Sequence, residues 1–128
     1  MPSFFNILVV GIGGFIGAIL RYLLSGLTGY MFNLQTFPLG TAVINVLGSL
    51  VIGLLAGWGE HVQPFGENTQ LLVFIGVLGS FTTFSTFSLE TVLLMKNGAY
   101  SVALTNVLIQ LTLGFTAVFI GYNLTKGF

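Results

Sequence analysis

An all-α membrane protein with four transmembrane helices is the fold class this sequence predicts, on three observations. Of its 128 residues, 55% are apolar and only 5% are charged, against about 25% charged in a soluble domain. The charges punctuate the chain, leaving residues 1–20, 22–59, 68–89 and 97–125 free of Asp, Glu, Lys and Arg. Each of these runs is long enough for the roughly 20 apolar residues that cross a bilayer. Six charged side chains cannot build a soluble surface, so the main solvent of this fold is lipid.

The first span, 3–24, begins without a basic flank before its apolar run. It therefore reads as a retained helix and not as a cleaved signal peptide. Gly13-x-x-x-Gly17 fits close helix approach, and Arg21 ends the span with a stem able to snorkel to the interface. The connection 25–38 holds Gly26, Gly29, Asn33 and Pro38 and reads as a loop or short surface helix. The second span, 39–59, carries Thr41 near its start and Gly53-x-x-x-Gly57 further on. It also carries Asn45, whose amide needs partners in mid-membrane: either an interhelical hydrogen bond or a place on a polar path. A short connection, 60–67, contains His61, read as a plain loop residue.

The third span, 68–96, is the informative one. Gly79 to Glu90 reads GSFTTFSTFSLE, with Phe81, Phe84 and Phe87 at three-residue spacing. Five hydroxyls (Thr82, Thr83, Ser85, Thr86 and Ser88) interleave them. Packed rings and hydroxyls bonded back to their own helix would satisfy this pattern. Gly76 and Gly79 point instead to a helix broken in mid-membrane. A break frees carbonyl oxygens, which are costly in lipid unless satisfied. A hard alkali cation is one way to satisfy them. Two copies meeting across a dyad would surround one such ion with four oxygens. Ring edges, hydroxyls and an amide are also the groups that replace water around a small anion. The third and fourth spans meet at Lys96-Asn97-Gly98, a tight turn, and the fourth runs over 98–125.

Composition excludes several classes. There is no cysteine, hence no disulfide and no thiolate metal site. A net charge of zero argues against nucleic acid and against a basic membrane-surface module. No nucleophile–base pair or metal-ligand cluster is visible, so the chain does not read as an enzyme. Orientation is open. Arg21 and Lys96 fall on one side of the membrane and Lys126 on the other, almost no bias for the positive-inside rule. The chain inserts one way, or it inserts both ways and the two orientations pair about a dyad in the membrane plane, a homodimer analogue of inverted repeats. Four short helices fill their own centre, so a conduction path calls for an oligomer.

Over its whole length the chain resembles the Fluc (CrcB) fluoride ion channel family. The resemblance is carried by T-T-F-S-T-F-S at Thr82–Ser88 followed by Glu90, P-L-G-T-x-x-x-N at Pro38–Asn45, Gly17-x-x-x-Arg21, and N-G-x-Y at Asn97–Tyr100. It implies an antiparallel dual-topology homodimer in the cell's inner or plasma membrane, with two pores. It implies a structural sodium ion (Na+) at the broken third helix, held by the carbonyls of Gly79 and Thr82. The fluoride pore would carry Asn45, Phe84, Phe87, Ser85 and Thr86, with Arg21, Thr41 and Glu90 toward its mouths. Asn106 and Gln110 would continue the polar track on the fourth helix. Ser80 departs from a second glycine, and Gly114 offers no side chain where the track would go on. The implied function is passive export of toxic cytoplasmic fluoride, with fluoride, a second copy of the chain and the bilayer as partners. The alternatives are a small proton-coupled multidrug exporter, for which Glu90 is the one candidate acid, and a membrane assembly subunit that transports nothing.

Overall fold

A computed structural model describes residues 3–32, 36–62 and 65–127, the last two of the middle segment by backbone alone. Asn33, read as part of a loop, and residues 63 and 64 of the second connection lie outside the described residues. Helix α1 spans Phe4–Phe32 and α2 spans Leu39–Val62. Helix α3, residues 67–81, is α-helical over Glu67–Gln70, widens to a π-helix over Leu71–Leu78, and tightens again over Gly79–Phe81. Helix α4 spans Phe84–Lys96 and α5 spans Tyr100–Thr125. Among the described residues there is no strand. Four helical stretches are long and apolar enough to cross a membrane: Phe4–Phe32, Leu39–Glu60, Glu67–Lys96 and Tyr100–Thr125.

The first helix continues to Phe32, well past the span expected from Arg21. The stretch that reads as a loop holds Leu27 between its glycines and Tyr30, Met31 and Phe32 after them, enough apolar surface to keep the helix in contact with lipid. Thr28, buried at 6% exposure, donates its hydroxyl to the carbonyls of Leu24 (3.0 Å) and Ser25 (2.8 Å). α2 likewise runs on through His61, so the following loop begins later than expected.

Packing is by small residues. The buried apolar residues are Ala42, Ile44, Leu78, Phe87, Ala103 and Ala117, whereas Phe15, Phe115 and Phe119 are exposed. That inverts a soluble core and suits a lipid solvent, in which close backbone approach replaces hydrophobic burial as the force between helices. α1 lies on α3 through Gly13 and Gly17, two of its three buried residues. A Cβ on Gly13 would stand 2.9 Å from the Cα of Gly76, and one on Gly17 would run into the backbone of Val77. α2 lies along α5 through Gly53, Gly57 and Gly121, each against backbone of the other helix. Thr125 ties that pair together by donating to the Leu54 carbonyl at 2.7 Å.

The third span changes partner along its length. Before Thr82 it packs on α1, and after Thr83 it packs on α5. Between the two stand two extended residues, Thr82 (φ −82°, ψ 155°) and Thr83 (φ −151°, ψ 110°). The turn from α4 into α5 is a Schellman motif. Gly98 takes φ 75°, its N–H bonds the Met95 carbonyl, and the Ala99 N–H reaches back to Leu94 at 2.9 Å.

Candidate functional site

The site grows from the two extended threonines. In a continuous helix the Thr83 N–H would bond the Gly79 carbonyl. Here it bonds Asn45 Oδ1 on α2, at 2.9 Å. In a continuous helix the Thr86 N–H would likewise bond the Thr82 carbonyl. Here it bonds Thr83 Oγ1, at 3.2 Å, because Thr83 serves as the N-cap of α4. The two displaced bonds release the two carbonyls assigned to a cation, those of Gly79 and Thr82. Thr82 closes α3 with its N–H and its hydroxyl, both on the Leu78 carbonyl at 3.0 Å.

Asn45 holds the far side of the interruption. Its amide nitrogen donates to the Thr83 carbonyl (3.3 Å) and to Gln110 Oε1 on α5 (2.6 Å). Gln110 Nε2 donates to Asn106 Oδ1 at 2.8 Å. Asn106 Nδ2 donates to Thr91 Oγ1 at 2.9 Å, and the Thr91 hydroxyl donates to the Phe87 carbonyl at 2.8 Å. A polar string thus crosses from the extended pair to α2, to α5 and back to α4. Asn45 makes interhelical hydrogen bonds and also borders the cavity beside the extended pair. Asn106 is fully buried and Gln110 nearly so. The side chains of both lie inside the bundle, along this string.

An open cavity of about 350 Å³ lies beside the extended pair. Asn45, Gly48, Leu78, Gly79, Thr82, Thr83 and Phe84 line it. Gly48 is required there, since a Cβ would strike the Thr82 methyl group. Phe84 is 76% exposed and Phe87 is buried at 8%. Their ring centroids stand 5.6 Å apart, tilted at 54°. Ser85 is exposed and Thr86 half-buried. Thr83 Oγ1 donates to Thr86 Oγ1 at 2.8 Å and lies 3.4 Å from Ser85 Oγ, so three hydroxyls cluster at the start of α4.

One turn beyond Phe87, Thr41 donates its hydroxyl to Glu90 Oε1 at 2.7 Å. Glu90 Oε2 is buried and has no hydrogen-bond partner among the described residues. Cavities of about 310 and 210 Å³ border Glu90, the smaller one lined also by Ser25, Thr28 and Thr41. The structure therefore brings Asn45, Gly79, Thr82, Phe84, Phe87, Ser85, Thr86, Asn106 and Gln110 to one region, with Thr41 and Glu90 adjoining it. Arg21 lies apart on α1, partly exposed, and shares no hydrogen bond with that region among the described residues. Two residues of the polar string, Thr83 and Thr91, are not among the site residues expected from sequence. The signal that could have found Thr83 is that Thr is a favoured N-cap residue. Thr91 carries no local signal, since its role depends on Asn106 packing against it. No group of three or more His, Cys, Asp and Glu able to hold a metal ion occurs among the described residues.

Comparison with known proteins adds a second line. The family model described as CrcB-like protein, Camphor Resistance (CrcB), matches residues 8–122. A fluoride-specific ion channel FluC of Elusimicrobium minutum is 44% identical over 120 residues, 92% of this chain and 91% of that protein. One from Shewanella frigidimarina is 44% identical over 121 residues, 93% and 94% of the two chains. One from Ruminiclostridium cellulolyticum is 40% identical over 126 residues, 98% and 96% of the two chains.

Proposed function

We infer from one premise, that the chain belongs to the CrcB-like family, that this multi-pass membrane protein is a fluoride-specific ion channel and not an enzyme. The carrying observation is the identity of 44% to proteins of that name across nine-tenths of the chain. The two alternatives, a proton-coupled exporter and a subunit that transports nothing, are set aside with it.

The geometry supports a path beside the extended threonines. A fluoride ion is small and strongly hydrated, so it enters only where other donors replace its water. The hydroxyls of Ser85 and Thr86 and the positive ring edges of Phe84 and Phe87 supply them, with Asn45 behind. Phe84 lies on the open flank of a single chain, exposed together with Gly79, so the wall is completed by a second copy. An antiparallel copy suits the nearly balanced charges. Passive export needs no nucleotide and no catalytic group. An inside-negative potential favours anion exit by about 2.3 kcal/mol per charge per 100 mV, and trapped cytoplasmic fluoride flows outward.

The interruption also fits a structural sodium ion. The Gly79 and Thr82 carbonyls, released by the rerouted N–H groups, are hard neutral donors of the kind that bind alkali cations. When bound, the ion would offset the exposed carbonyl dipoles and raise the potential along the anion path.

The test is direct. Purified protein in liposomes loaded with fluoride, followed by a fluoride electrode, is expected to release the ion far faster than empty liposomes and to retain chloride. Release no faster than from empty liposomes removes the channel.

A further inference from the structure

We propose that Gln110 and Asn106 are positioning residues. They hold the Asn45 amide, and through it the extended backbone at Thr83, and do not themselves meet the anion.

The polar string has a fixed polarity. It begins at the Thr83 N–H, which can only donate, and ends at the Phe87 carbonyl, which can only accept. Every link between runs the same way: Thr83 N–H to Asn45, Asn45 to Gln110, Gln110 to Asn106, Asn106 to Thr91, Thr91 to Phe87. Reversing any one amide sets donor against donor and acceptor against acceptor. The acceptor at the far end therefore reinforces the direction that the Thr83 carbonyl, accepting from Asn45 Nδ2 at 3.3 Å, also sets for the Asn45 amide. Without Gln110 the Asn45 side chain loses its shortest bond, 2.6 Å, and is held only by Thr83 itself, through 2.9 Å to the N–H and the longer 3.3 Å to the carbonyl. With its partner less firmly held, the N–H would leave Asn45 for the Gly79 carbonyl more often, and the interruption would close more often.

Burial assigns the rest. Asn106 is 0% and Gln110 7% exposed, and neither borders the cavity lined by Asn45, Thr83 and Phe84. Bonds in one direction polarise one another and strengthen the whole. In a lipid solvent a missing link leaves a buried polar group unpaired.

The experiment compares Gln110→Met with Gln110→Glu in the full-length dimer. Methionine keeps the volume and removes both bonds. A buried glutamic acid kept neutral by its surroundings offers one acceptor and one donor in the same places. Amide hydrogen exchange at Thr83, read by NMR in detergent micelles, is expected to quicken at least about tenfold in Gln110→Met and to stay slow in Gln110→Glu. Fluoride efflux from liposomes, which rests on the channel reading, should fall in Gln110→Met and be largely retained in Gln110→Glu. It should be no lower in the double variant with Asn45→Leu than in Asn45→Leu alone. Unchanged Thr83 exchange in Gln110→Met, or flux losses that simply multiply in the double variant, overturns the positioning role. Absence of flux from the unsubstituted protein overturns the channel instead, and the exchange measurement still decides the role of Gln110.

Discussion

Phe84 and Phe87 lie one helical turn apart and have different surroundings. Phe87 is packed inside the chain, whereas Phe84 is 76% exposed, although the two rings touch. The same substitution should therefore separate packing from transport. Phe84→Ile is expected to change the unfolding free energy in detergent by no more than about 0.5 kcal/mol yet to reduce fluoride efflux. Phe87→Ile should cost about 1 kcal/mol and also reduce efflux. Efflux at the original rate in both would return the rings to packing. The Phe and hydroxyl pattern of residues 81–88 was legible because helical spacing puts those side chains near one another whatever surrounds them. The direction of the Asn45 amide was not legible. It is set by the Thr83 N–H and carbonyl together with Gln110, groups brought to Asn45 only by the tertiary packing of two other helices.

The helices meet through glycines, and the glycines are not equivalent. Gly17 has the Val77 backbone where a Cβ would go, while Gly26, in the same helix, has nothing within 4 Å. Gly17→Ala is expected to destabilise by about 1–3 kcal/mol through overpacking. Gly26→Ala should stabilise by about 0.5–1 kcal/mol by removing helix-interior glycine entropy. Thermal unfolding of the two variants in detergent checks this contrast, and shifts of equal sign would contradict it. The existence of four apolar helices and the close approach at Gly13, Gly17, Gly53 and Gly57 followed from composition and spacing. The length of α1 did not, since Gly26 and Gly29 look like loop residues until lipid is counted as the solvent around Leu27 and Tyr30. The widened turns over Leu71–Leu78 had no signal either: a run of Leu, Val, Phe and Ile suits α- and π-winding alike.

At the scale of the whole molecule, the third span packs on α1 before Thr82 and on α5 after Thr83, and the displaced backbone bonds open toward the flank where Phe84 and Gly79 stand exposed. The proposed second, inverted copy on that flank would enclose the path. In membranes carrying one accessible tag per chain terminus, cross-linked pairs are expected to show tags on both faces; pairs labelled on one face only would refute the antiparallel arrangement. The sequence pointed to an oligomer because four helices fill their own centre, but near-balanced charges left its orientation open. The proposed path rests on Asn45 keeping Thr83 out of the helix. Fluoride efflux from liposomes containing Asn45→Leu, beside the unsubstituted protein at equal dimer content, tests this most directly. A drop of at least about fivefold is expected, the low end of 1–3 kcal/mol for a single buried hydrogen bond, since Asn45 makes three; equal efflux from the two proteins would contradict it.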